Sequence, residues 1–173
     1  MRRMHVLSLG AGVQSTAMLL MAMEGEITPK PDLVVFADTQ WEPAAVYENL
    51  ERLRAMGADI EVVTAGDIRA DALDANKRFA SMPLYTLLNG DEGMLRRQCT
   101  REYKIAPIRR LIRQRLKERG GKRGVMWMGI TTDEALRMRT SNVKYIEHRY
   151  PLIDMGLSRR DCLTWLSKHG YEP

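Results

Sequence analysis

The chain has 173 residues, of which 45% are hydrophobic and 28% charged, and its formal net charge is +5. This length suits one domain, and the composition is typical of globular proteins rather than of disordered chains. No apolar run approaches the ~20 residues that a membrane-spanning helix needs, which argues against an integral membrane protein. The charge is uneven, because residues 96–123 carry 12 Lys/Arg against 2 Asp/Glu.

The first half of the chain alternates between strand and helix patterns. Its continuous apolar runs are typical of central parallel strands, and the intervening segments place apolar residues at helical spacing. The predicted elements are a strand at 6–9, a helix at 14–23, a strand at 33–37, a helix between Pro43 and Gly57, a strand at 60–63 and a short helix at 67–77.

The second half begins with residues 79–98, which lack a clear period and are predicted to form a loop. A basic helix follows, with the apolar stripe Ile105, Ile108, Leu111, Ile112 and Leu116, then strands at 124–130 and 144–147 and a helix at 158–168. This alternation predicts an α/β, Rossmann-like parallel sheet with helices on both faces. In such folds ligands bind at the carboxyl ends of the strands.

The loop after the first strand has the chemistry of an anion site. Glycines allow close backbone approach, and the following helix start offers unpaired N–H groups and the positive end of its dipole. An ordinary glycine turn is the alternative interpretation. The candidate ligand-binding residues here are Ser8, Gly10, Ala11, Gly12, Gln14 and Ser15.

Two further candidate segments follow strands. Asp38 and Thr39 end the second strand, where they can meet a ribose, a base or a metal ion, or can cap the next helix. After the strand at 124–130, carboxylates and hydroxyls suit Mg²⁺ with nucleotide phosphates, and arginines suit phosphate or sulfate oxygens. The alternative there is a helix cap beside exposed arginines. The candidates of this segment are Gly129, Thr131, Asp133, Glu134, Arg137 and Arg139.

Taken together, these segments resemble the phosphoadenosine phosphosulfate reductase family within the PP-loop ATP pyrophosphatases. Residues 10–16 resemble the Ser-Gly-Gly-x-Asp-Ser-Thr loop, with Gly10 in place of Ser and Gln14 in place of Asp. Four further segments resemble family elements: Asp38-Thr39; Cys99 to Lys104 with Pro107; Gly129 to Arg137, with Ala135 where Ser is usual; and Tyr150 to Ile153. The resemblance implies one PP-loop domain over 1–173 with an adenine nucleotide α-hydrolase-like fold.

The resemblance also implies a reaction. ATP-using members bind ATP with Mg²⁺, cleave it between the α- and β-phosphates and activate an acceptor by adenylation, or support sulfur transfer. We therefore expect an enzyme that binds ATP or a related adenine nucleotide, with Lys104, Arg137 and Arg139 as catalytic cations. The acceptor is unknown. Candidate partners are tRNA or DNA as the acceptor and a protein that donates sulfur. The sequence does not predict the oligomeric state.

The cysteines bear on a rival function. Sulfonucleotide reductases attack with a cysteine near the C-terminus, and this chain has none beyond Cys162, so we do not expect a complete reductase. Relatives often continue into a Cys-rich tail, with which Cys99 would ligate an iron–sulfur cluster. Cys99 is otherwise a reactive thiol or a buried cysteine. Two cysteines 63 positions apart form no disulfide scaffold, which favours a cytoplasmic location.

Two alternatives to an ATP-using enzyme stay open. One is a phosphoadenosine phosphosulfate reductase-like oxidoreductase that borrows its cysteine from a tail or a partner. The other is a nucleic-acid-binding protein with a degraded nucleotide loop, which would use the basic residues of 96–123. A solvated helix face is the simpler interpretation of Arg109 to Arg119.

Overall fold

The computed structural model describes residues 3–74, 76, 85–88, 91–94 and 100–172. Its strands are β1 (Met4–Leu9), β2 (Leu33–Asp38), β3 (Ile60–Thr64), β4 (Tyr85–Leu88), β5 (Asp91–Met94), β6 (Gly124–Trp127) and β7 (Ile146–Arg149). Five of them form one parallel sheet in the order β3-β2-β1-β6-β7. β4 and β5 pair with each other in an antiparallel hairpin.

Helices connect the strands of the sheet. They are α1 (Val13–Glu24), α2 (Ala44–Ala55), α3 (Ile68–Leu73), α4 (Ala106–Glu118), α5 (Pro151–Asp154) and α6 (Arg159–Lys168). A π-helix over Thr100–Ile105 precedes α4, and a 3₁₀-helix over Thr132–Arg137 follows β6. Among the described residues, no helix is both long and apolar enough to cross a membrane.

Alternate residues of the strands face two separate cores. Leu7 and Val34 lie in a cluster with α1, α2 and α6, whereas Val6 and Val35 lie in a second cluster with α4. Since side chains alternate across a strand, both faces of the sheet are buried, and β1 and β2 must be apolar at nearly every position. The predicted parallel α/β fold with helices on both faces is therefore confirmed.

Four predicted elements were wrong in extent or kind. The strand predicted at 124–130 ends at Trp127, and the strand predicted at 144–147 lies at Ile146–Arg149. The short helix stops at Leu73 rather than at residue 77. Within the predicted loop at 79–98, the backbone forms β4 and β5. Asn89-Gly90 between these strands is a strong hairpin signal that the lack of a clear period concealed.

Candidate active site

The strand order places one crevice at the carboxyl edge of the sheet. β1 has β2 on one side and β6 on the other, and the chain reverses its direction of winding between β1 and β6. Ligands of open parallel sheets bind at such a switch point, outside the carboxyl ends of the strands. The loops that meet there are residues 10–12 after β1 and residues 128–131 after β6.

The loop after β1 exposes the start of α1. Gly12 is the N-cap residue, its backbone is extended, and no side chain caps the helix. The first N–H groups of a helix have no partner within it, so those of α1 are candidate donors to an anion at this edge of the sheet. A Cβ atom on Gly12 would meet nothing within 4 Å, which shows open space in front of this backbone.

Ser15 acts inside this loop in the structure. Its Oγ accepts a hydrogen bond from the Gly10 N–H at 3.2 Å and lies 3.2 Å from the Gly12 carbonyl oxygen, to which it donates. The residue is only 8% exposed. Ser15 therefore holds the shape of the loop, and the backbone N–H groups at the start of α1 are the remaining candidates for binding an anion.

A buried asparagine braces the same loop from behind. The Asn49 side chain of α2 donates to the Ala11 carbonyl oxygen at 2.8 Å and to Thr16 Oγ1 at 3.1 Å. Its own carbonyl oxygen accepts a hydrogen bond from the Tyr171 hydroxyl. Ala11 has a φ of 53°, a left-handed conformation that costs a residue with a Cβ free energy. Asn49 thus stabilises a strained loop, and sequence reasoning missed it.

The loop after β6 packs directly against the start of α1. A Cβ atom built on Gly129 would come within 3.1 Å of the Ser15 nitrogen and 3.2 Å of its Cα. Beyond it, the Gln14 amide donates to Glu134 Oε2 at 3.2 Å, and Arg137 pairs with the other oxygen of Glu134. The structure therefore brings together four predicted residues, Gln14, Gly129, Glu134 and Arg137.

Thr131 and Asp133 have a different placement. The Thr131 hydroxyl is buried and makes no hydrogen bond of good geometry with a described group. It nevertheless lies near enough to Asp133 to lower the pKa of that carboxyl, with help from the Arg159 N–H, which donates to Asp133 at 3.0 Å. Asp133 therefore anchors the start of α6, and its predicted role as a ligand of Mg²⁺ stays a prediction.

The end of β2 supplies an acidic group, and the π-helix supplies a basic one nearby. Asp38 Oδ1 accepts from the Gln40 N–H at 2.7 Å and from the Tyr47 hydroxyl at 2.9 Å. It does not cap α2, whose N-cap is Pro43 and whose start has no side-chain cap, so that alternative was wrong and the ligand role of Asp38 stays a prediction. Thr39 donates to Glu42 at 2.8 Å, and Lys104 Nζ lies 2.7 Å from the same carboxylate. Lys104 is thereby held near the carboxyl end of β2, and its catalytic role stays a prediction.

Three other predicted residues lie apart from this crevice or outside the described structure. Ser8 is a half-buried residue within β1, paired in register with Val35. Arg139 lines a depression of about 490 Å³ beside β7 that no residue of the glycine loop borders. Cys99 lies outside the described residues, so its interpretations stay predictions.

Cys162 does not fit a catalytic or cluster-binding role. It is fully buried in the core, and burial raises the pKa of its thiol to about 11. A thiolate is the form that attacks substrates and binds metals, so this cysteine is inert. Two cysteines within these 173 residues also fall short of the four that an iron–sulfur cluster usually requires.

Tyr103 connects the π-helix to α3 through a hydrogen bond. Its ionisation should make the free energy of unfolding depend on pH in the alkaline range. Burial, together with the hydrogen bond that its hydroxyl donates to Asp71 at 2.6 Å, raises the pKa of Tyr103 to about 12. Between pH 10 and 12 the unfolded chain loses the tyrosine proton and the native chain keeps it. The free energy of unfolding should then fall, with a steepest slope of about 1.4 kcal/mol per pH unit near pH 11 from this group.

We expect Tyr103→Phe to flatten that fall while lowering stability by about 1 kcal/mol at pH 8 through the lost hydrogen bond. Urea unfolding of both proteins at pH 8, 10 and 11 measures the difference. Cys162 and the other tyrosines titrate in both proteins and cancel in this comparison. Equal slopes would show that Tyr103 ionises in the native state as readily as in the unfolded chain.

The parallel sheet, with a glycine loop and an uncapped helix start at its switch point, defines a Rossmann-like nucleotide-binding fold. Consistently, the family model described as phosphoadenosine phosphosulfate reductase domain matches residues 4–155. The chain belongs to this family, within the PP-loop, adenine nucleotide α-hydrolase-like group. The family is generally enzymatic and points to an adenine-nucleotide ligand. A search of curated proteins found none that matches.

Proposed function

We propose that this chain is a PP-loop enzyme that binds ATP with Mg²⁺ and uses its α–β phosphate bond for adenylation or sulfur transfer. The observation that carries the proposal is the uncapped start of α1, which faces open space at Gly12. Family membership supports a nucleotide ligand. The acceptor is unidentified, and sulfur transfer would also require a protein that donates sulfur. The cytoplasmic location stays a prediction.

The chemistry assigned to the protein is positioning and charge stabilisation. Backbone N–H groups of residues 12–15 would hold phosphate oxygens, and Lys104 and Arg137 would offset negative charge that develops during cleavage. Both cations have carboxylate partners, Glu42 and Glu134, which keep their side chains at the edge of the sheet. Mg²⁺ would bind together with the nucleotide and neutralise part of the charge on its phosphates. We assign no described acidic residue as a ligand of this ion.

A phosphosulfate nucleotide is the second candidate ligand, favoured by the family match. The buried thiol of Cys162 cannot serve as the nucleophile of a reductase, so such a reaction would need Cys99 or an added thiol. Calorimetric titration with ATP, a non-hydrolysable ATP analogue and phosphoadenosine phosphosulfate separates the candidates. Preference for the sulfated nucleotide with thiol-dependent sulfite release would replace the ATP-using proposal.

Gly12→Val tests the location of the site. Valine suits the extended backbone at Gly12, so we expect a stability loss of no more than about 1 kcal/mol from the poorer N-cap. Its side chain would fill the space in front of the N–H groups, and affinity for ATP and pyrophosphate should fall at least tenfold.

Gly10→Ala is the matched control in the same loop. Its Cβ would lie at an ordinary 3.8 Å from Ser15 Oγ, and affinity should change little. Unchanged affinity of Gly12→Val for ATP, phosphoadenosine phosphosulfate and pyrophosphate would overturn the assignment.

A further inference from the structure

A groove lined with arginine runs between α4 and the segment before β7. Its first part, next to the start of α4, is a depression of about 370 Å³ lined by Arg101, Arg109, Arg110 and Arg113, with Val143 and Tyr145 among the facing residues. A second depression of about 330 Å³ shares Arg113 and Tyr145 with the first and adds Lys117 and Lys122. The two depressions adjoin at these two residues, and the groove that they make up has no acidic residue among its described lining residues.

The cations of this groove differ from two other arginines at the C-terminal end of α4. Arg115 pairs with Glu61 and Glu118, and Arg119 pairs with Asp32, so carboxylates already hold those two guanidinium groups. The six groove cations form no ion pair with another described residue. Arg113 lies over the Tyr145 ring at 4.9 Å, and Arg109 donates to the Asn142 side chain. Neutral contacts thus hold these guanidinium groups and leave their charge available.

The length and chemistry of the groove indicate the class of ligand. The 13 residues of α4 span about 20 Å, the length of roughly six phosphates along one strand of a nucleic acid. A single phosphate or sulfate would leave most of these cations unused. Tyr145 is the one aromatic residue among those that line the described groove, and Arg113 lies over its ring, so the groove lacks the row of aromatic faces on which successive unpaired bases stack.

We propose that this groove binds the phosphate backbone of a double-stranded nucleic acid. The apolar stripe of α4 is buried in the core, so the helix is rigid and presents its arginines at fixed spacing. The end of the groove at Arg101 is close in sequence to Lys104, which contacts Glu42 at the carboxyl edge of the sheet. Binding of the duplex does not depend on the nucleotide chemistry proposed above.

The test is fluorescence anisotropy with labelled 20-bp DNA and RNA duplexes and a single-stranded oligonucleotide, between 50 and 200 mM salt. Four to six phosphate contacts predict that log K falls against log salt with a slope of about −4 to −5 for duplex DNA. The double variant Arg110→Glu/Arg113→Glu should bind duplexes at least tenfold more weakly and lower the slope by about 2. Its ATP affinity should be unchanged, which separates this proposal from the nucleotide site.

The control variant Arg160→Glu/Lys168→Glu makes the same change in net charge on α6, which packs on the opposite face of the sheet. It should bind duplexes like the unaltered protein after a small, general electrostatic loss. An equal loss in both variants would show attraction by net charge alone and overturn the proposal. Tighter binding of the single strand, equal competition by polyglutamate, or no salt-dependent duplex binding would overturn it as well.

Discussion

Replacing Asn49 with leucine should lower the free energy of unfolding by about 3 kcal/mol or more. The side chain is 4% exposed and serves three partners, namely the Ala11 carbonyl, the Thr16 hydroxyl and the Tyr171 hydroxyl. Each buried polar group that loses its partner costs about 1–3 kcal/mol, since water cannot replace the bond. A native domain is stable by only about 5–15 kcal/mol, so this loss is severe.

Urea unfolding at pH 7 measures the effect, and two variants separate its parts. Tyr171→Phe removes one bond of the network and should cost about 1 kcal/mol. Ala11→Gly relieves the left-handed backbone, so it should recover about 1 kcal/mol in the Asn49→Leu protein. If Ala11→Gly gives no recovery, Asn49 stabilises α2 and the C-terminal residues rather than the glycine loop.

The strands and their layering were predictable because their signal is local. β1 and β2 are buried on both faces, which requires nearly continuous apolar sequence, and α1 is buried from Ser15 to Ala22. The glycine loop was predictable for a similar reason, since Gly10 and Gly12 stand directly between a strand and a helix. These features depend on residues that are close in sequence, so the spacing of apolar residues and glycines along the chain is enough to predict them.

The contacts of the site were harder to predict because they join distant segments. Asn49 stands at helical spacing between Val46 and Leu53, and a polar residue on that apolar face was a usable signal of a buried partner. Its partners Ala11 and Tyr171, however, follow only from the fold. Asp133 shows the opposite case, in which the sequence indicates a ligand-binding residue and the fold gives it a structural contact. Its carboxylate stands near arginines in sequence, but in the structure it accepts a hydrogen bond from the Arg159 N–H at the start of α6.

The end of β6 shows why a predicted strand boundary was wrong where the apolar sequence continues beyond the strand. The apolar run continues to Ile130, yet the chain leaves the sheet after Trp127, and the Ile130 N–H closes a tight turn on the Met128 carbonyl at 2.9 Å. Gly129 at this turn was the only local signal of the change. Its reason is a close approach to Ser15, 114 positions earlier, which no periodicity reveals.

Gly129→Ala should therefore destabilise the protein by about 2 kcal/mol, and the larger Gly129→Val by more. The added Cβ would stand 3.1 and 3.2 Å from two backbone atoms of Ser15, which cannot rotate away as a side chain would. Overpacking of this kind costs about 1–3 kcal/mol, and 2 kcal/mol corresponds to a loss of about 4–8 °C in Tm for a chain of this size. Calorimetric melting checks the value, with Gly10→Ala as the control that adds a methyl group at ordinary contact distance.

The same substitution also tests whether the two loops form one site. Relief of the clash must separate the start of α1 from the loop after β6, which moves the N–H donors away from Glu134 and Arg137. Affinity for pyrophosphate should then fall together with Tm, whereas Gly12→Val should lower affinity with little effect on Tm. A Gly129→Ala protein that melts lower yet binds pyrophosphate with unchanged affinity would show that the loop after β1 holds the phosphates without any contribution from β6.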